Sequence, residues 1–257
     1  MFRSLLLLLF LPTLAMAQEP DHIARGVAAA ERRDPGAALT HFQAALARDP
    51  ISYEANWRAA LGAIDLGKQI PDSMKSGSRD SLYAQAERYA RTATEANPAG
   101  ADGHFVLALA VGRASLTKSK RERVQRAALI RSEGLRAIEL DPAHDGAHHV
   151  LGRWNAEIMR LSAMQRFFAR SFLGGRIFNE ASWGHGVGYM ERAVSLAPTN
   201  IYHHLDLAEI YIDRNSFTDA RRHLEMIGAL PVVDVMDPRY KEDALRLLRK
   251  IEGKKDR

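Results

Sequence analysis

Apolar and small residues recur along this chain with the period of a helix, and proline interrupts the recurrence at intervals. Ala38, Phe42 and Ala45 stand at i, i+4 and i+7, one face of a helix, and Pro50 closes the stripe. Ala86, Ala90 and Ala93 repeat the spacing before Pro98, and Ala220, Leu224 and Ile227 repeat it before Pro231. The segments HFQAALARDP, YARTATEANP, GLRAIELDP, ERAVSLAP and HLEMIGALP share one ending: a helical stretch, then Asp, Asn or an apolar residue, then Pro. Small residues mark the preceding helices at Gly26, Leu151-Gly152 and Leu207-Ala208. A residue without bulk lets a partner helix approach to about 8–10 Å. Proline cannot continue a helix, so it ends one hairpin and opens the next. Little else reads as strand; Pro231-Val232-Val233 is short and lies between helical patterns.

The five prolines are 48, 44, 56 and 33 residues apart. A tetratricopeptide unit repeats every ~34 residues, so the last spacing fits directly and the others carry about 14, 10 and 22 extra residues. A single hairpin cannot bury its own apolar face, so the units must stack. The expected fold is therefore all-α: a right-handed superhelical solenoid of tetratricopeptide-like hairpins over 20–50, 53–98, 101–142, 145–198 and 201–231. A capping helix over 237–252 completes it. Asp237-Pro238 starts that helix well, and Leu245, Leu248 and Ile251 share one face.

Around Leu151-Gly152-Arg153-Trp154 the chain resembles the regulator of microtubule dynamics family. The resemblance runs from about Gly103 to Ile251 and includes HFVLALAVGR, HHVLGRWNAEI, RFFARSFLGG and AEIYIDRNSFTDARRHLEMI. It implies a helical repeat fold and a binding role without a catalytic centre. Some animal relatives associate with microtubules; the N-terminal segment described below sets this chain apart from them, and that activity is not expected of it.

In such a stack the first helices of successive hairpins line a groove. Its candidate residues are Phe105, Leu109 and Arg113 in the third unit, His149, Arg153 and Glu157 in the fourth, and Tyr202, Leu205, Glu209 and Asp213 in the fifth. Aromatic, cationic and anionic groups together suit a protein or peptide segment, with Arg153 available for bidentate capture of a carboxylate. The simpler alternative is that Arg153 and Glu157 form an i, i+4 helix pair.

Residues 160–182 are the most unusual stretch. Arg160, Arg166, Arg170 and Arg176 interleave with Phe167, Phe168, Phe172 and Phe178, and Gly174-Gly175 break the helix. The phenylalanines would plug the solenoid where the hairpin is interrupted. Alternatively, Arg166, Phe167, Phe168, Arg170 and Phe172 would form a lid, or a face for lipid or an anionic membrane.

Other chemistry is sparse. Lys118, Lys120, Arg121, Arg123 and Arg126 form a basic cluster without interleaved aromatics, which suits a solvated face and not nucleic acid. His104, His148 and His204 occupy equivalent places in three units, which argues for packing rather than for a metal. The run Gly184-His185-Gly186-Val187-Gly188 lacks the residues of a phosphate loop and reads as a flexible helix entry. No serine-hydrolase, zinc-protease or nucleotide motif is present, so neither an enzyme nor a cofactor is expected.

Composition changes this picture in two ways. The chain has no cysteine, which excludes disulfides, thiolate metal sites and a cysteine nucleophile. Its net charge of +5 over 257 residues is too small to select anionic partners. The N-terminus carries an address. Arg3, the apolar run Leu5 to Leu11 and the small residues Ala15 and Ala17 have the three-part form of a secretory signal cut after Ala17. An exported, periplasmic protein is the expectation.

Overall fold

A computed structural model describes residues 21–71, 73–115, 118–172 and 175–256, without the side chains of Lys120 and Phe172. The signal segment, Gly174 and the Phe172 ring therefore lie outside the described residues. Among the described residues there are twelve α-helices and no strand. They are α1 (His22–Glu31), α2 (Pro35–Leu46), α3 (Tyr53–Lys68), α4 (Gly77–Ala96), α5 (Ala101–Ala114) and α6 (Lys120–Leu140). There follow α7 (Asp145–Arg160), α8 (Ala163–Phe172), α9 (Trp183–Leu196), α10 (Ile201–Asp213), α11 (Phe217–Ala229) and α12 (Asp237–Lys250). A 3-10 turn, Arg176–Glu180, stands between α8 and α9. The fold is the helical solenoid that the stripes imply.

α1 pairs with α2, α3 with α4, α5 with α6, α7 with α9 and α10 with α11, and α12 closes on α10 and α11. The first helices also touch in succession, α3 on α5, α5 on α7 and α7 on α10. The alanine stripes lie at these contacts: Ala38, Ala86, Ala90, Ala93 and Ala220 are at most 1% exposed. Glycine makes the closest approaches. A Cβ at Gly26 would lie 2.4 Å from the Phe42 ring, and one at Gly67 would lie 2.3 Å from Tyr83. The glycine run after Gly184 is not a loose entry: all of it belongs to α9, and a Cβ on Gly152 of α7 would meet the Gly186 carbonyl at 3.2 Å. Two residues without side chains let those helices nearly touch.

Each unit after the first opens with the same staple. Six residues after the proline, a side-chain N–H donates back to the proline carbonyl. Asn56 reaches Pro50 at 3.0 Å, His104 reaches Pro98 at 3.0 Å, His148 reaches Pro142 at 3.0 Å and His204 reaches Pro198 at 2.9 Å. A carbonyl left behind by the helix end is thereby satisfied, and the turn angle between units is fixed. The equivalent histidines are thus structural, each presenting Nε2–H to its carbonyl, and His104 also meets Glu133 through Nδ1 at 2.6 Å.

The insertion between α7 and α9 is split in two. Ala169 and Phe178 are buried with Val124, Trp154 and Ile158 in a small core of their own. Met164, Phe167 and Phe168 stand 69%, 53% and 51% exposed on one face of α8. Phe178 is therefore a plug, and Phe167 and Phe168 are surface residues.

Candidate binding groove

Ordinary capping sets the helices that carry the site. His144 accepts from the Ala147 N–H and starts α7; Asn200 accepts from the Tyr202 and His203 N–H groups and starts α10. Helical spacing then puts His149, Arg153, Glu157 and Arg160 on one stripe of α7. Tyr202, Asp206, Glu209 and Asp213 form the facing stripe of α10.

Arg153 is the centre of the contact. Its Nη1 donates to the Tyr202 hydroxyl at 2.7 Å and to Asp206 Oδ2 at 2.9 Å, and its Nη2 reaches Glu157 at 3.3 Å. Arg113 of α5 also donates to the Tyr202 hydroxyl, at 3.3 Å. A side chain two units away can reach this hydroxyl only if the stack curves toward this face, so the face is concave. The Tyr202 ring stacks on Tyr240 of α12, with centroids 4.7 Å apart and planes 12° apart. Further along, Arg160 donates to Asp213 and to Glu157, each at 2.7 Å.

Beneath Arg153 lies a buried line of histidines. His149 Nε2 meets Asp206 at 2.7 Å, His203 Nε2 meets Asp145 at 2.7 Å, and the two Nδ1 atoms face each other at 2.9 Å. Each Nε2 faces a carboxylate and so donates, which leaves the two Nδ1 atoms lone pair to lone pair unless a proton lies between them. The pair His204–His223 has the same Nδ1 contact, 2.9 Å, but there Nε2 of His204 faces a carbonyl, so both rings are satisfied as neutral.

The ionisation constants follow this layout. Burial opposes the charge on Asp206, but Arg153 and His149 outweigh it and hold the carboxyl well below the usual range. Burial, with the neighbouring His203 charge, lowers His149 to about 4 against the pull of Asp206. Burial, then the Asp206 charge, push Glu209 up to about 7. The groove thus holds one carboxyl whose charge changes near neutrality.

Most of the groove residues expected from sequence meet here: Arg113, His149, Arg153, Glu157, Tyr202, Glu209 and Asp213. Three do not. Leu205 is 3% exposed and belongs to the C-terminal core, against which the Tyr202 ring also packs. Leu109 packs against the N-terminal core. The Phe105 ring sits 4.6 Å from His144 and fills the space over Gly146, so it is a packing residue between units and not an open platform. Of the insertion residues, Arg166 donates to the Met159 carbonyl at 3.0 Å and to that of Leu161, and Arg170 donates to Asn179 at 2.9 Å.

Sequence reasoning missed Asp206 and Tyr240. It also missed the first stripe of the groove, Trp57, Leu61, Asp65 and Lys68 on α3. The i, i+4, i+8 continuation could have found that stripe, since α3 is a first helix like α5 and α7. Asp65 and Lys68 pair at 2.7 Å. Among the described residues no three metal-capable side chains converge, and no helix is long and apolar enough to cross a membrane.

The family profile of the regulator of microtubule dynamics proteins 1-3 matches residues 21–252. The chain belongs to that family. The match includes the N-terminal hairpins, which by themselves look like generic repeats. Regulator of microtubule dynamics protein 1 of Bos taurus is 25% identical over 206 residues, 78% of this chain and 62% of the bovine protein. The match thus leaves more than a third of that family member unmatched. Among solved structures, a thermophilic TPR protein of Thermus thermophilus aligns with a TM-score of 0.60 at 19% identity. The alignment covers 88% of this chain and 97% of that one. The structure of pilF from Pseudomonas aeruginosa aligns with a TM-score of 0.50 at 14% identity, covering 90% and 91% of the two chains. These likenesses establish a tetratricopeptide-type fold for the family member described here.

Proposed function

We propose that this family member is a non-catalytic scaffold that binds a protein or peptide segment along its concave face, outside the cytoplasm. The observation that carries the reading is the composition of that face. It runs from Trp57 and Leu61 on α3, past Arg113, to Glu157, Arg160, Glu209 and Asp213 at the far end. Apolar anchors and ionised groups of both signs alternate along it, as in surfaces that hold an extended chain. The secretory pattern in residues 1–17 supports the location. Arg153 is a poor probe of binding, because its removal would leave the buried Asp206 with His149 as its one side-chain partner and disturb the fold of the site. A photo-crosslinking residue at Leu61 or Glu157 is the better test. Both positions should give discrete protein adducts in the periplasmic fraction, while Arg88 on α4, a second helix, should give none. Equal adducts from both faces, or adducts only in the cytoplasm, would overturn the reading.

A second reading rests on α8. Met164, Phe167 and Phe168 stand at i, i+3 and i+4 and are exposed together. They would insert into the interfacial layer of a membrane. Arg166 and Arg170 are spent on partners within the chain, so the attachment would depend on apolar contact more than on lipid charge. Vesicle cosedimentation should be lost on changing Met164, Phe167 and Phe168 to Ser, and should change little between neutral and anionic vesicles. Insensitivity to the triple change would end this reading.

A further inference from the structure

The two ends of the solenoid meet. Between α11 and α12 the chain runs through Pro231, Val232, Val233, Asp234 and Val235 without helical structure, and this strap crosses to the first hairpins. Arg33, at the turn after α1, donates from Nη1 to the Val232 carbonyl at 3.1 Å, a contact between residues 199 apart in sequence. A cavity of about 130 Å³ remains beneath the strap. Phe42, Trp57 and Leu61 form its apolar floor, Arg33 and Arg58 stand at its edge, and Val233 and Val235 roof it.

The strap is held from its own side as well. The Val233 and Asp234 N–H groups both donate to the Asp237 carboxylate, at 2.8 and 2.7 Å. Asp234 Oδ1 accepts from the Met236 N–H at 2.8 Å. The strap is therefore a preformed non-helical segment that turns at Asp234, with apolar side chains on either side of that acid. Opposite it lies Lys68, which burial would neutralise but which Asp65 and Asp234 keep protonated. The fit is loose. Val232 and Val233 are 37% and 59% exposed, and the cavity is not filled.

We infer that the groove of the first hairpins is a receptor for short non-helical segments of the pattern apolar–apolar–acidic–apolar, and that residues 232–235 are a built-in occupant which a partner segment of the same chemistry displaces. This rests on the scaffold reading and narrows it to one stretch of the face and one class of ligand. A tethered occupant competes at an effective concentration on the order of millimolar, so a modest affinity for itself is enough to exclude weak partners.

The test uses the full chain and a synthetic peptide of its own residues 230–237, Leu-Pro-Val-Val-Asp-Val-Met-Asp. Changing Val233 and Val235 to Ser weakens the tethered occupant. That variant should bind the peptide at least tenfold more tightly than the parent chain, with a shift of the Trp57 indole N–H resonance, and a scrambled peptide should not bind. Failure of the peptide to bind a variant of unchanged helicity would overturn the inference, as would equal binding of the scrambled peptide. Should the variant not fold, hydrogen exchange on the parent chain answers the same question. Saturating peptide should speed exchange of the Val233 and Asp234 amides and leave α12 protected; unchanged exchange overturns it. Peptide failure together with inner-face crosslinks at Leu61 and Glu157 would sink the built-in occupant and leave the scaffold standing.

Discussion

Asp206→Ala should cost about 3–5 kcal/mol of stability, the range for removing one partner from a buried charge network. The side chain is 6% exposed and answers both Arg153 and His149. Without it, the Arg153 guanidinium keeps only the Tyr202 hydroxyl and Glu157, and the buried Nε2–H of His149 loses its acceptor. At roughly 2–4 °C per kcal/mol for a domain of this size, the melting temperature should fall by about 6–20 °C. Chemical denaturation of the two chains measures it, and a loss below about 1 kcal/mol would show that the network is solvated. Pairing Arg153→Leu with Asp206→Leu provides the control. The double change removes both charges, so it should be less damaging than Asp206→Ala alone.

Acid should loosen the protein well before its carboxylates protonate. His149 takes up a proton in the folded chain only near pH 4, whereas in the unfolded chain it does so near its ordinary 6.5. A histidine lowered on folding stabilises the native state fully above the unfolded value, and that contribution is lost as pH falls from about 6.5 to 4. For His149 the loss is on the order of 3 kcal/mol. His223, held to about 4 by burial and by His204, acts in the same direction. Glu209 acts in the opposite direction. Raised to about 7, it favours the folded state at low pH and loses that contribution between about 4.5 and 7. The melting temperature should therefore decline between pH 6.5 and 4, with a shallower slope in His149→Asn and a steeper one in Glu209→Gln. A flat profile over that window in the parent chain would contradict the buried histidine line.

The stripes that carry the fold were readable because they are local. Ala86, Ala90 and Ala93 declare a packed helix face within eight residues, and Pro98 declares its end. Arg113, Arg153 and Tyr202 could be placed on one face because each lies on the i, i+4, i+7 or i+8 stripe of its own first helix. Asp206 could not. In the run LDLAEI it looks like any solvated acid of an amphipathic helix, and only the approach of α7 shows that it is buried. Phe105 and Leu205 failed for the related reason that a helix position one residue off the groove stripe already faces the neighbouring unit. The strap was the least legible feature. Pro231-Val232-Val233 looks like a plain connector, and nothing within it points to Arg33 almost two hundred residues earlier.

That junction also governs how the molecule carries load. An open helical stack behaves as a spring: its pitch lengthens easily because each unit has only to tilt slightly against the next. A link between the first turn and the last removes that soft mode and turns the spring into a closed hoop, stiff until the link slips. Tension that parts the first hairpin from the last would load the contact of Arg33 with Val232 before it separated stacked helices. The first event in stretching would then be a gain in compliance without loss of secondary structure, and relaxation would let the hoop close again.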